Sequence, residues 1–387
     1  PTDFFSASFT DSDEFSEDED GFDDAGAYES LLDEASSLPT QTLLWHYRSK
    51  NEQLIAFSNQ KIYNGNLITF PSAVEKGKDI GVEYIYTKNG IYDRGGRNGN
   101  RVEAEKVAEL VFEHIKNNGN RSLGIIAFNE KQQTILEDVI IRKRQENPQY
   151  EYFFKDSENE PFFIRNLETV QGDERDTIIF SIGFGYDKDG KFLMNFGPLS
   201  KSGGERRLNV AITRARYNLK LVGSIMPTDI NVDKVNSLGP KLLRQYIDYA
   251  INGPKAIIAE IQADETISFD SPFEESVYTF LVDQGYNVAT QVGCSGYRID
   301  MAVRHPNYNG CFAIGIECDG AAYHSARTAR ERDRLRQAVL ESMGWKIHRI
   351  WSTDWIKDPY SEKRKLVEAI EQALRCYNES YISTEKN

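Results

Sequence analysis

Residues 168–183 read ETVQGDERDTIIFSIG and residues 204–224 read GERRLNVAITRARYNLKLVGS. Each carries a polar, charged block into a short continuous apolar run, at 177–183 in the first and 219–223 in the second. An unbroken run of that length is the pattern of a strand covered on both faces, as parallel strands are. Working outward, further runs at 67–70, 82–87 and 123–128 alternate with helical patterns at 51–63, 101–116, 130–144 and 205–216. Strands that alternate with helices of this length predict an α/β layer, a parallel sheet with helices on both sides. The polar blocks lie at element borders, where such a sheet presents its ligand crevice.

Beyond a helical stretch at 240–251 the order changes. A helix at 272–283 is followed by strands at 287–293, 297–303 and 311–319, a helix at 328–343, a strand at 346–351 and a helix at 362–377. Ser271, Pro272, Glu274 and Glu275 give the first of these an N-cap, a first-turn proline and acids suited to the helix dipole. The order predicts an α+β unit of about a hundred residues, an ordinary domain size. The expected division is an acidic segment at 1–40, an α/β domain at 41–230, a helical linker at 231–268 and the α+β domain at 269–380.

The chain has 387 residues, 40% hydrophobic and 27% charged, enough for two cores without disulfide staples. No apolar run approaches the roughly 18 residues a membrane span needs. The net charge of −14 is concentrated at one end: residues 1–47 hold 13 acidic and no Lys or Arg residues, leaving 47 acidic against 46 basic groups elsewhere. Nucleic-acid binding is therefore not excluded by charge. The Ser, Gly and acid mixture at 11–24 repels itself and buries little, so a solvated insert is expected. Cys294, Cys311, Cys318 and Cys376 show no metal-ligand spacing, which fits a reducing cytoplasm. The opening PTDFFSASFTDSDEF has neither the basic start nor the apolar centre of a secretory leader, and reads as the middle of a longer chain.

Arginines mark the first candidate site. Arg48 follows Trp45, His46 and Tyr47, and Arg214 and Arg216 fall near the expected end of the 205–216 helix. Guanidinium is always charged and matches phosphate geometry, so converging arginines suit a γ-phosphate. Surface salt bridges are the alternative. The stretches TLLWHYRSKNE (42–52), 168–183 and 204–224 resemble, in order and spacing, motifs IV, V and VI of superfamily-one helicases, nearest the nonsense-mediated-decay branch. NRVEAEKVAELV (100–111) and SLGIIAFNEKQ (122–132) extend the resemblance over nearly all of 41–224. It implies a second RecA-like motor domain. Tyr47 would stack near the adenine of ATP, and Arg48 and Arg214 would touch the γ-phosphate. Gln171, Gly172 and Glu174 would link nucleotide to nucleic acid, and Thr169 would contact the backbone of a bound strand. The sequence contains neither GxxxxGK[ST] nor a DEx(Q/H) motif. The family carries these on a first motor domain, expected upstream in the same polypeptide, so this chain alone is not expected to hydrolyse ATP.

Carboxylates mark the second site. Alternation along 311–319 puts Glu317 and Asp319 on the face opposite Phe312, Ile314, Ile316 and Cys318. In 297–303 it puts Asp300 opposite Tyr297, Ile299, Met301 and Val303. Converging, the three acids would favour a hard divalent cation, Mg²⁺ or Mn²⁺, able to activate water for phosphodiester hydrolysis. The alternative is a strand end turning at Gly320, with Asp300 paired to an arginine.

SPFEESVYTFLVDQGY (271–286), VGCSGYRIDMAV (292–303), FAIGIECDGAAYH (312–324) and RERDRLRQAVLESMGWKIHRIWSTDW (330–355) resemble the PD-(D/E)XK restriction-endonuclease-like superfamily, nearest the very-short-patch-repair-like domains at the C-terminus of bacterial helicase-related proteins. This implies a mixed central sheet, Asp300 and Glu317 as metal acids and Glu275 as an accessory acid. Asp319 stands where the superfamily usually has lysine, so His324 becomes the candidate general base. That departure also keeps open a non-catalytic module for nucleic-acid binding or docking. Arg327, Arg330 and Arg334 share one helical face and suit backbone phosphates, or else form ion pairs with the interleaved Glu331 and Asp333. Trp345, Trp351 and Trp355 are expected in the core. DNA is expected ahead of RNA as substrate, by analogy with repair and restriction nucleases, in repair or in defence against foreign DNA.

Overall fold

A computed structural model of the chain describes residues 35–387 other than 40, 42, 76, 156–159, 255, 257–268, 294–296, 321–326 and 385–387. The acidic segment at 1–34 and His324 lie outside the described residues, as do the side chains of Arg327 and Arg330.

The first unit runs α1 (Gln53–Lys61), β1 (Gly81–Tyr86), α2 (Arg101–Asn118), β2 (Leu123–Ala127), α3 (Glu130–Glu146), β3 (Phe163–Asn166), β4 (Arg175–Ser181), α4 (Gly204–Ile212), β5 (Ala215–Gly223) and α5 (Leu238–Asn252). Its five strands form a wholly parallel sheet in the order β1-β5-β4-β2-β3. Side-chain alternation feeds two cores. Ile178, Phe180, Leu219 and Leu221 pack with α1, α4 and α5, while Ile179 and Val222 pack with α2 and α3 on the opposite face. This is the RecA-like α/β layer expected from the sequence.

Three elements differ from expectation. The 67–70 run forms a single parallel bridge, Trp45 to Ile68, and no strand. The 205–216 helix ends at Ile212, so Arg214 lies in a turn and Arg216 inside β5. The helix expected within the linker, α5, packs Leu242, Leu243, Tyr246 and Ile247 into the first unit's core instead of standing between the units.

The second unit runs α6 (Pro272–Asp283), β6 (Val288–Val292), β7 (Ile299–Arg304), β8 (Phe312–Asp319), α7 (Arg327–Ser342), β9 (Ile347–Trp351), α8 (Ser352–Lys357) and α9 (Pro359–Thr384). Its sheet has the order β6-β7-β8-β9 and is mixed: β6 and β8 are antiparallel to β7, and β9 runs parallel to β8. α6 begins as predicted, with Ser271 Oγ accepting from Glu274 N at 3.3 Å. Apolar residues cover both sheet faces. Met301, Val303, Ile314 and Ile316 pack with α6 and α9, whereas Ile299, Ala302 and Phe312 pack with α7 and Trp345. The expected strict alternation of β7 thus fails between Ile299 and Met301, and neither face is left wholly polar. Trp345 and Trp355 are buried, as expected, whereas Trp351 is half-buried.

The units meet through residues 68–75 of the first. Val74 bridges Cys311, Phe312 N donates to Ala73 O at 2.9 Å, and Trp345 Nε1 donates to Pro71 O at 2.8 Å. Phe70 and Ala73 are part of the apolar cluster that holds Ile299, Phe312, Leu340 and Trp345.

Candidate functional sites

The arginine half-site forms at the amino ends of β4 and β5, not at the carboxyl ends where ligands of open α/β sheets usually bind. Arg175 pairs with Ala215, which sets Glu174 beside Arg214, and Lys50 N donates to Arg216 O at 2.7 Å, which draws the 45–50 segment to the same edge. Arg48 Nε lies 2.7 Å from Glu174 Oε2. Arg214 is tethered through Nε to Val210 O at 2.6 Å and through Nη2 to Thr213 Oγ1 at 3.0 Å. Burial and then the charge of Arg48 lower the Arg214 pKa, a sign that two guanidiniums share this corner. Burial, Arg48 and Arg214 bring His46 down to about 4, so its imidazole is neutral at pH 7. Glu174 opposes Arg48, and Glu174 and Asp173 both act on Arg214, so an anion bound by the two guanidiniums would compete with those carboxylates. Tyr47 is 70% exposed beside them.

Gln171 and Gly172 occupy the turn leading into β4, closed by Asp173 N donating to Val170 O at 3.2 Å. Gly172 has φ +91°, which explains a glycine at the third position of this turn. Thr169 is exposed, and its Oγ1 accepts from Asn166 N at 3.1 Å. Arg216 is not part of the anion corner: it is held by Glu160, by Asp176 at 2.8 Å and by Glu174 at 3.5 Å, and the Glu160 carboxylate raises its pKa. The carboxyl ends of β4 and β5 instead carry a buried hub that sequence reading missed. There Glu103 accepts from Gly183 N at 2.7 Å, Ser224 Oγ at 2.8 Å and Asn100 Nδ2 at 3.1 Å.

In the second unit, Asp300 Oδ2 accepts from Cys318 N at 2.7 Å. Burial raises the Asp300 pKa to about 7, against the pull of that amide and with the help of the charges on Glu274, Glu317 and Asp319. The helix acid that acts on Asp300 is Glu274, 6% exposed; the expected Glu275 points to solvent. Glu274 is anchored by Ser271 Oγ at 3.0 Å and Asp270 N at 3.1 Å. Glu317, 7% exposed, is held at both oxygens, by the Tyr297 hydroxyl at Oε1 and by Arg349 Nη2 at 2.9 Å from Oε2. Arg349 Nη1 also lies 3.8 Å from Asp319 Oδ2. Tyr297 and Arg349 escaped the sequence reading. Arg349 is set opposite Glu317 by the register of β8 and β9, which the sequence alone does not signal.

The donor chemistry fits a hard divalent cation: Glu274 and Glu317 are buried, Asp300 and Asp319 half-buried, and burial first and then the other three carboxylates hold the Asp300 pKa up. A finished cage is not formed: among the described residues no three His, Cys, Asp or Glu side chains are grouped to hold a metal ion. Of the three α7 arginines, Arg334 is exposed, and the side chains of Arg327 and Arg330 lie outside the described residues.

A RecA-like layer with an arginine corner, joined to a mixed sheet with an acidic centre, defines a helicase-type domain carrying an endonuclease-like domain. The chain belongs to the AAA-domain family AAA_12, whose model matches residues 26–226, just over half of it. A second family model, REase_MTES_1575, matches residues 273–370. The chain is 30% identical, over 84% of its length, to the uncharacterized ATP-dependent helicase MG140 homolog of Mycoplasma pneumoniae, and 30% identical, over 82%, to the uncharacterized ATP-dependent helicase MG140 of Mycoplasma genitalium. It spans 29% and 28% of those two proteins. A crystal structure of the C-terminal domain of a possible DNA helicase from Lactobacillus plantarum is 15% identical, with a TM-score of 0.28, covering 51% of this chain and 92% of that one. That likeness is too loose to bear on the fold. No helix among the described residues is long and apolar enough to cross a membrane.

Proposed function

We propose that the chain carries the second half of an ATP-driven DNA helicase or translocase fused to a divalent-metal-dependent nuclease that hydrolyses DNA phosphodiester bonds. The observation that carries the nuclease reading is Asp300 Oδ2 accepting from Cys318 N at 2.7 Å, which sets Asp300 beside the residue between Glu317 and Asp319, where converging carboxylates gain most from a cation. Asp300, Glu317 and Asp319 would hold Mg²⁺ or Mn²⁺. When bound, that ion supplies an activated water and charge stabilisation at the phosphate. Arg327, Arg330 and Arg334 would bind backbone phosphates beside it. The motor reading rests on the Arg48 and Arg214 corner, with Tyr47 open for an adenine. Gln171, Gly172 and Glu174 would link that corner to a strand held at Thr169. An upstream motor domain of the same polypeptide would supply the phosphate loop, and tethering would deliver DNA to the cutter at high effective concentration.

The test is cleavage of plasmid DNA by the intact chain with Mn²⁺ or Mg²⁺, against Asp300→Ala and Glu317→Ala. Cutting that falls at least about a hundredfold in both variants supports the nuclease. Equal cutting by all three chains defeats it. The grip of Tyr297 and Arg349 on Glu317 favours a second reading, a nuclease-fold module that binds nucleic acid without cutting it. DNA binding retained by all three chains, with no cutting at any metal concentration, would select that reading.

A further inference from the structure

Tyr297 stands where three parts of the molecule meet. Its hydroxyl donates to Glu317 Oε1, and Arg336 of α7 lies over its ring, 5.4 Å from the centroid. Its ring also packs at 5.6 Å on Phe70, which belongs to the first unit. Phe70 in turn meets Trp45 edge-on at 5.6 Å, and Trp45 lies two and three residues before Tyr47 and Arg48 of the anion corner. The backbone reinforces the contact, with His46 N donating to Ile68 O at 2.9 Å and Ile68 N to Leu44 O at 2.7 Å. Phe70 is 1% exposed, so it has little room to move without moving its neighbours.

A carboxylate with a phenol donating to one oxygen and a guanidinium paired with the other is held in place from both sides, and a cation that draws it into a cage must compete with both donors. This accounts for an acidic centre with suitable ligands and no finished cage. We propose that Tyr297 latches Glu317 away from the divalent cation, and that Phe70 of the helicase-type unit sets the latch. The coupling would then run from Tyr47 and Arg48 through Trp45, Phe70 and Tyr297 to Glu317. This positions Tyr297 as a regulator of the site and rests on the nuclease reading above.

Calorimetric titration of Mn²⁺ into the intact chain tests it without relying on cutting. Tyr297→Phe keeps the ring contacts and removes the donor, so it should bind Mn²⁺ about tenfold more tightly than the unaltered chain. Phe70→Leu loosens the ring and should tighten binding in the same direction, by about threefold. One tightened site per chain supports the latch, whereas tightening that comes with additional sites marks carboxylates exposed by structural damage and counts against it. Unchanged or weaker binding in Tyr297→Phe overturns the latch, and unchanged binding in Phe70→Leu overturns its control by the first unit. Asp300→Ala separates these failures from that of the underlying reading. If it abolishes binding while Tyr297→Phe leaves binding unaltered, the metal site stands and the latch falls. If Asp300→Ala binds as well as the unaltered chain, or no chain binds, the nuclease reading falls and takes the latch with it.

Discussion

Glu317 on β8 and Arg349 on β9 face each other across a parallel ladder, with Arg349 Nη2 2.9 Å from Glu317 Oε2 and both side chains largely buried. Removing one member of such a pair leaves an uncompensated charge in a poorly solvated place, which costs more than the pair itself contributes. Arg349→Met should therefore destabilise the second unit by about 2–3 kcal/mol, at or just below the range for fully buried pairs because some solvent reaches the guanidinium. Adding Glu317→Gln should recover most of that loss. Urea unfolding of the two variants reads both numbers, and a double variant no more stable than Arg349→Met would contradict the pairing.

Glu103 gives the fold a pH dependence of its own. Burial raises its pKa to about 7, even though Gly183 N, Ser224 Oγ and Ser181 Oγ all donate to it. In the unfolded chain it titrates near 4.5. Between those values the folded state keeps a proton that the unfolded state has released, so stability falls as pH rises through that window and is level above it. The loss is on the order of 3 kcal/mol at full titration. Glu103→Gln keeps an uncharged amide in the same place and should flatten the slope between pH 5 and 7. Thermal unfolding at closely spaced pH values checks this, with identical slopes in both chains as the contrary result.

What could be read before the structure followed from how local each feature was. The α6 boundaries came from Ser271, Pro272 and Glu274, whose capping is settled within one helical turn. β4 was legible because Ile178, Ile179 and Phe180 are apolar on both faces, as a central parallel strand requires. β3 was missed: Phe163–Asn166 is four residues long and includes Arg165 and Asn166, and it is a strand by virtue of its pairing with β2. The helix at 205–216 was drawn too long because Ala215 and Arg216 suit a helix locally, but the sheet claims them for β5. In the second unit alternation along β8 singled out Glu317, whereas the same rule applied to β7 breaks between Ile299 and Met301, on either side of Asp300. Tyr297 and Arg349 depended on register between segments 20 and 32 residues from Glu317, which no local pattern encodes.

His46 reports on the anion corner without any need for turnover. Its pKa of about 4 comes from burial first and then from Arg48 and Arg214. Arg48→Ala removes one repelling charge and leaves the burial, so the pKa should rise while remaining below the ordinary 6.5. Pyrophosphate bound between the two arginines should raise it as well, by neutralising them. Imidazole resonances followed by NMR from pH 3 to 8 would show both shifts, and an unmoved His46 in Arg48→Ala would show that the charge of Arg48 does not act at this corner.

The joint between the units combines the apolar cluster around Phe70 and Ala73 with a few directional bonds. Trp345 Nε1 donates to Pro71 O at 2.8 Å in a buried setting, while its ring stacks on Phe312 at 5.4 Å. Trp345→Phe preserves much of the stacking but leaves the Pro71 carbonyl without that donor, a loss of about 1–3 kcal/mol. Because the change is at the joint, its effect should be local. The amides of Glu75, donating to Gly310 O, and Phe312, donating to Ala73 O, should exchange hydrogen faster in the variant. Those of Ile178 to Phe180, central in the parallel sheet, should not change. Equal acceleration at both places would mean that the two units share one cooperative core and that residues 68–75 are not a separable hinge between them.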